Sequence, residues 1–445
     1  MNEPTAAPDQ QPAQKPAQQT QQPEQPATQQ LSRRRFFGGS AAVAGAGGLV
    51  LGAGAAVALT GAKAPTPPTD LELVEQRSAL TEPFYGEHQG GIATAPQDHL
   101  VFTSFDLTAT TAVELQLVLA KWSAAMAQMT AGRPVGKVEP SREHAIPVDT
   151  GEATDLGAHG LTLTLGFGPS LFDERFGLEK FKPVDFAQLP AMAGESLDPA
   201  MTGGDLCIQA CSNDPQVAYH AVRNLARMAR TSVRTKWTVL GFGRASAGAN
   251  QTTPRNLMGF KDGTRNITSD DDFAQHVWVG DEAGQPWMVG GSYLVARKIH
   301  MLIETWDEDP IGDQQSIFGR TKAEGAPLSG AKEHDVPNFH AVHGGAPAIP
   351  GDSHMALAAH ENNGGTKILR RGYNFTDGLD SVGRLDAGLM FLSFQKDPEQ
   401  FISLQRKMGK SDRLNEYIRH VGSGVFAVPA GLPAAGSYYG KEFFA

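Results

Sequence analysis

Two observations predict an α+β protein with antiparallel sheets. Three segments of the chain repeat one design, an apolar strand, a polar break and an amphipathic helix, at Leu100, Leu206 and Leu389. Between them lie further strand candidates at Leu161–Leu165, Ser232–Leu240 and Tyr293–Trp306. Strands with alternating faces, separated by single helices, fit antiparallel sheets better than a doubly wound parallel fold.

The chain opens on 30 residues rich in Gln, Pro and Ala, a composition with nothing to bury that reads as disordered. Ser32-Arg33-Arg34-Arg35-Phe36-Phe37 follows, then an uncharged Gly/Ala-rich run from Gly38 to Ala62. A basic cluster, a weakly apolar run and Ala62-Lys63-Ala64 are the three parts of a bacterial signal peptide. The paired arginines before Phe-Phe look like a twin-arginine signal, with cleavage expected near Ala64. The rival is a membrane anchor, but Gly and Ala make a poor transmembrane segment. Export by the twin-arginine translocon to a periplasmic, extracellular or cell-surface location is the expectation. That route carries folded proteins, often with a cofactor already inserted.

The whole chain carries a net charge of −10. Residues 1–64 hold five basic and three acidic residues, so their removal makes the remainder more negative. Such a surface argues against nucleic acid or anionic lipid as a partner. Cys207 and Cys211 lie in Cys-Ile-Gln-Ala-Cys with no second pair, which argues against structural zinc. On one strand their side chains stand about 13 Å apart, too far for a disulfide, so two buried free thiols are expected.

Within the folded part, Leu100–Phe105 leads to a helix over about 111–129, and Leu206–Cys211 leads through Asp214-Pro215 to a helix ending near Arg230. Leu389–Phe394 leads through Asp397-Pro398 to another. Asp at the N-cap with Pro at the first helical position is a strong helix start, and it occurs twice. Val217, Ala221, Leu225 and Met228 follow helical spacing, so one stripe faces a sheet. The Gly/Ala/Ser/Asn-rich run Arg244–Gln251 marks a boundary between domains at 65–250 and 251–445. Residues 307–352 lack regular pattern, and a long loop of that kind is usually functional.

The chemistry concentrates in two stretches. Gly259-Phe260-Lys261-Asp262-Gly263-Thr264-Arg265-Asn266 sets one carboxylate in an Asp-Gly turn. About ninety residues on, Asp352-Ser353-His354-Met355-Ala356-Leu357 reads as a capped short helix, followed by Ile368-Leu369-Arg370-Arg371-Gly372-Tyr373. Together these resemble the dye-decolourising peroxidases, in particular their exported bacterial branch, whose GxxDG fingerprint is met by Gly259 to Gly263.

The resemblance, running from about Gln76 to the C-terminus, implies two ferredoxin-like domains with antiparallel sheets, of the dimeric α+β barrel type, and one haem b in the second. His354 falls on the axial ligand position. Asp262 falls on the group that moves a proton between the oxygens of hydrogen peroxide, best in mild acid. Arg370 falls on the positive charge beside the breaking bond. Arg320 matches a propionate-binding position, and Gly263, Thr264 and Arg265 line the haem edge in relatives. The implied activity is peroxide reduction through a ferryl intermediate, with a dye, phenol or other one-electron donor. Tyr373, Trp287, Trp306 and Tyr438 are candidates to carry electrons outward, each otherwise a core aromatic.

The ligand histidine needs an acceptor on its other nitrogen, for which Asp386 is the candidate. His360 stands where the family usually has Pro; six residues along a helix is about 240°, so His354 and His360 are not expected to share a face. An extended segment at 367–373 sends Arg370 and Arg371 to opposite sides. Two rival functions stand beside the peroxidase: release of iron from haem, and a non-haem metal site built on His334, His340 and His343. The oligomeric state is left open, a homo-oligomer included.

Overall fold

The computed structural model describes residues 70–244 and 252–445. The signal segment, its cleavage site and most of the run read as a domain boundary lie outside the described residues. The chain enters through helix α1 (Asp70–Ala79).

The first half is a βαββαβ unit of β1 (His99–Leu107), α2 (Ala112–Thr130), β2 (Thr162–Phe167), β3 (Leu206–Ser212), α3 (Pro215–Met228) and β4 (Val233–Phe242). Thr111 caps α2 in a capping box with Glu114, and Asp214 caps α3 by accepting from two backbone amides. Helix α4 (Asp270–His276) follows, started by Ser269.

The second half repeats the plan. It contains β5 (Ser292–Met301), α5 (Ile303–Asp307), α6 (Ile311–Phe318), the hairpin β6 (Val342–His343) and β7 (Ala346–Pro347), and α7 (His354–Ala358). It then runs through β8 (Leu369–Arg370), β9 (Tyr373–Leu379), β10 (Leu385–Gln395), α8 (Pro398–Ser411) and β11 (Ile418–Val428). The strand expected over 293–306 therefore stops at Met301. A short helix then carries Trp306 into the core, where its indole donates to the Met258 carbonyl. The segment expected to be irregular holds α6, which Gly319 ends in the left-handed conformation that glycine adopts freely.

Each half is a four-stranded antiparallel sheet, ordered β4-β1-β3-β2 in the first and β11-β5-β10-β9 in the second. The edges then join. β4 pairs with β9 through Gly241↔Phe375, and β2 pairs with β11 through Ala427↔Phe167. With β5 also paired to β10, the strands close a barrel. Its interior is packed by Leu100, Phe102, Trp237, Leu294, Phe375, Phe394 and Phe426, with both free cysteines buried among them. On the opposite faces, α2 and α3 cover the first half through Leu119, Trp122 and Leu225. Helix α8 covers the second, but there the packing is incomplete, and the space left open is the cavity described next.

Candidate active site

Between α8, α7 and the outward-facing side chains of β5, β10 and β11 lies a cavity of about 250 Å³. Ile299, Met301, Leu389, Phe391, Leu404 and Met408 give it an apolar body. Arg297, Gln405 and His420 add polar groups from the sheet and α8, and the seven residues singled out in the sequence as site residues line it as well: Asp262, Gly263, Thr264, Arg265, Arg320, His354 and Arg370.

One wall is the turn 262–266 with β8. Gly263 has φ 94°, which leaves the turn to a residue without Cβ. Asp262 Oδ1 accepts from Arg370 Nη1 at 2.9 Å, and Arg370 Nη2 donates to the Thr264 carbonyl at 3.1 Å. Asn266 fixes the arginine's backbone from both sides. Its Oδ1 accepts from the Arg370 amide at 2.9 Å, and its Nδ2 donates to the Arg370 carbonyl at 2.8 Å. Arg371 points the other way, 2 % exposed, donating to the Thr94 carbonyl and to Gln97 Oε1. The alternation read from the sequence is thus observed.

The other wall carries His354, the first residue of α7, behind its N-cap Ser353. Its Nδ1 is 2.7 Å from Asp412 Oδ2, not from Asp386. Asp386 sits at an irregularity of β10 and faces His300 at 3.8 Å, so the sequence-based partner is replaced. Asp412 ends α8 and starts the next turn, where its other oxygen accepts from the Leu414 amide at 2.9 Å. A carboxylate on Nδ1 fixes the tautomer and leaves Nε2 for a ligand. Burial disfavours charge on this ring, but the adjacent Asp412 carboxylate outweighs it, and the His354 pKa is raised. The ring is still 36 % exposed. His360 also lines the cavity, and the helix on which the angular argument rests stops before it: α7 ends at Ala358, and Ala359 is extended.

Arg320 is 8 % exposed and donates to the carbonyls of Gly325 and Glu333. Burial, then the nearby Arg370 and Arg265, push its pKa down to about 10. The cavity is therefore short of negative charge at this end. Glu333, missed in the sequence, supplies only part of it. Its carboxylate is engaged by Lys261 at 2.5 Å and Thr264 at 2.9 Å, and these bonds outweigh burial to hold its pKa at about 2. Arg265, at φ 61°, pairs with Glu361 at 2.5 Å.

His334, His340 and His343 are exposed, and among the described residues no three His, Cys, Asp or Glu side chains gather as a metal-binding group. Of the aromatic candidates, Trp306 packs on Phe318, which makes an edge contact with His354.

Comparison with known proteins agrees with this geometry. A family described as Dyp-type peroxidase, N-terminal, matches residues 89–243, and one described as Dyp-type peroxidase, C-terminal, matches residues 253–432. A protein named deferrochelatase from Yersinia pestis is 35 % identical over 431 residues, covering 94 % of this chain and 97 % of its own. The crystal structure of a DyP-type peroxidase from Streptomyces coelicolor is 38 % identical with a TM-score of 0.76, covering 82 % of this chain and 98 % of its own. Ferric DtpA from Streptomyces lividans is 37 % identical, also at 0.76, covering 85 % of this chain and all of its own.

Proposed function

Because the chain belongs to the Dyp-type peroxidase family, and is on that ground a haem-dependent oxidoreductase, we propose that it is an exported enzyme holding one haem b between the two walls of its cavity and reducing hydrogen peroxide at the expense of a one-electron donor. One observation carries the reading: His354 on Asp412, and Asp262 on Arg370, line the same apolar cavity. The residues suit the group. A neutral imidazole nitrogen is a haem-iron ligand, apolar walls suit the macrocycle, and the under-compensated Arg320 suits a propionate carboxylate.

Bound haem supplies the redox chemistry that accepts the oxidising power of peroxide. The protein's part is proton handling and charge. Asp262 would accept a proton from one peroxide oxygen and return it to the other, so that water can leave as the O–O bond breaks. Arg370, fixed by Asn266 and Thr264, stabilises negative charge as the O–O bond breaks, with no reorganisation needed at that moment. Asp412 holds the His354 ring oriented throughout.

The name of the Yersinia relative supports a second reading, removal of iron from haem. One preparation tests both. The haem-loaded protein should show a Soret band that His354→Ala loses and His360→Ala keeps. Peroxide with a dye should be consumed with no free protoporphyrin formed. Accumulation of metal-free porphyrin would shift the assignment to iron release, and no haem uptake would end both readings.

A further inference from the structure

The ion pair between Arg265 and Glu361 joins the two walls. Arg265 belongs to the turn that carries Asp262 and Thr264. Glu361 belongs to the short turn after α7, the segment that carries His354. The turn is fastened to α8 on its far side, where Lys407 donates to the Asn362 carbonyl at 2.8 Å and to Asn363 Oδ1 at 3.1 Å. The Asp262 turn is fastened to β8 through Asn266. Each partner is thus anchored to a different wall, and the bond spans the gap.

Its position and form single it out. Arg265 lines the cavity, yet both residues are solvent-exposed, so the pair lies at the rim. Arg265 Nη2 meets Glu361 Oε1 at 2.5 Å and Nη1 meets Oε2 at 3.3 Å, a two-point contact. Arg265 also occupies a left-handed backbone conformation that glycine adopts without cost. A long cationic side chain stands where the backbone favours none.

We propose that Arg265 and Glu361 form a clasp across the cavity rim that slows escape of the prosthetic group, so that its residence time is set partly by a solvent-exposed ion pair. This rests on the reading of the cavity as a haem site. The pair is no part of the proton-handling machinery, and Glu361 does not line the cavity. Being exposed, it is worth the modest amount of surface pairs and is screened by salt.

The test is the rate at which excess apomyoglobin captures haem from the loaded protein, followed in the Soret band. Glu361→Gln should release haem about three- to fivefold faster than the parent. Raising salt should speed release from the parent and leave Glu361→Gln unchanged. Glu361→Lys, which turns attraction into repulsion, should release fastest at low salt and be slowed by added salt. That reversal of sign is something a merely loosened fold does not give. Equal release rates in parent and Glu361→Gln, or the same salt dependence in all three proteins, would overturn the clasp. Failure to load haem at all would instead sink the reading of the cavity, and the clasp with it.

Discussion

The two walls of the cavity are built on different principles. The wall of Asp262 and Arg370 joins two short stretches 104–108 positions apart, both of them motifs: the Arg370 guanidinium meets Asp262 and the Thr264 carbonyl, and the Arg370 backbone meets the Asn266 side-chain amide. The wall of His354 depends on a residue 58 positions away, at the junction of a helix and the turn after it. Both walls are tertiary, but a wall whose partners all lie in motifs can be read from the sequence. A wall with one partner outside any motif shows one residue and hides the other.

The sharpest test of the motif-built wall is to replace its two neighbouring arginines in turn. Arg370→Leu removes a preorganised donor beside the breaking bond and should slow the peroxide reaction by about 10²–10³ at matched haem loading. Arg371→Leu removes a guanidinium that serves Thr94 and Gln97 in the interior. It should lower stability by about 1–3 kcal/mol through the groups left unpaired, with little change in that rate. Stopped-flow kinetics and thermal unfolding of both variants decide it. A larger kinetic loss in Arg371→Leu would break the comparison.

The wall of His354 is tested by Asp412→Asn, which keeps the shape but removes the charge that orients His354. Haem affinity or activity should fall by about 10–100-fold, as for other partners of a metal-bound histidine. Asp386→Asn should change neither. Titration with haem compares the two, and a loss confined to Asp386→Asn would restore the residue chosen from sequence.

A smaller effect comes from Glu333, which backs the wall of Asp262 and Arg370 through Thr264 and Lys261. Its pKa is held at about 2 against an ordinary 4.5. A carboxylate depressed on folding contributes stability that is complete above its unfolded pKa and is lost as pH falls through its folded one. The contribution, at most about 3 kcal/mol, should therefore disappear between about pH 4.5 and 2. Glu333→Gln should be less stable than the parent at neutral pH and converge with it in acid, as measured by denaturant unfolding. A constant difference across that range would show that the glutamate acts by shape alone.

What was legible follows the same division. Strands at 206–211 and 389–394, and the helices started by Asp214-Pro215 and Asp397-Pro398, were visible because capping and alternation are local signals. The opposite facing of Arg370 and Arg371 was visible because a strand has period two. Asp412 was not, although Ser411-Asp412 after a helix is a recognisable cap pair; nothing in the sequence says that the cap's second oxygen reaches α7. The angular argument for His360 assumes a continuous helix, which Ala359 ends. The strand over 293–306 was drawn too long because an apolar run reads alike in a strand and in a buried short helix.

The closure of the barrel has a consequence for how the chain assembles. During synthesis the first four barrel strands emerge complete with their two helices, yet β2 and β4 are then open edges. Their partners, β11 at 418–428 and β9 at 373–379, come from the far end of the chain. Contacts of such long sequence separation form slowly, and unpaired edges invite pairing between chains while they wait. The barrel cannot close before β11 has been made, so a truncation just short of residue 418 should leave most of the sequence present with the β11-facing edges of β2 and β5 exposed as templates for aggregation.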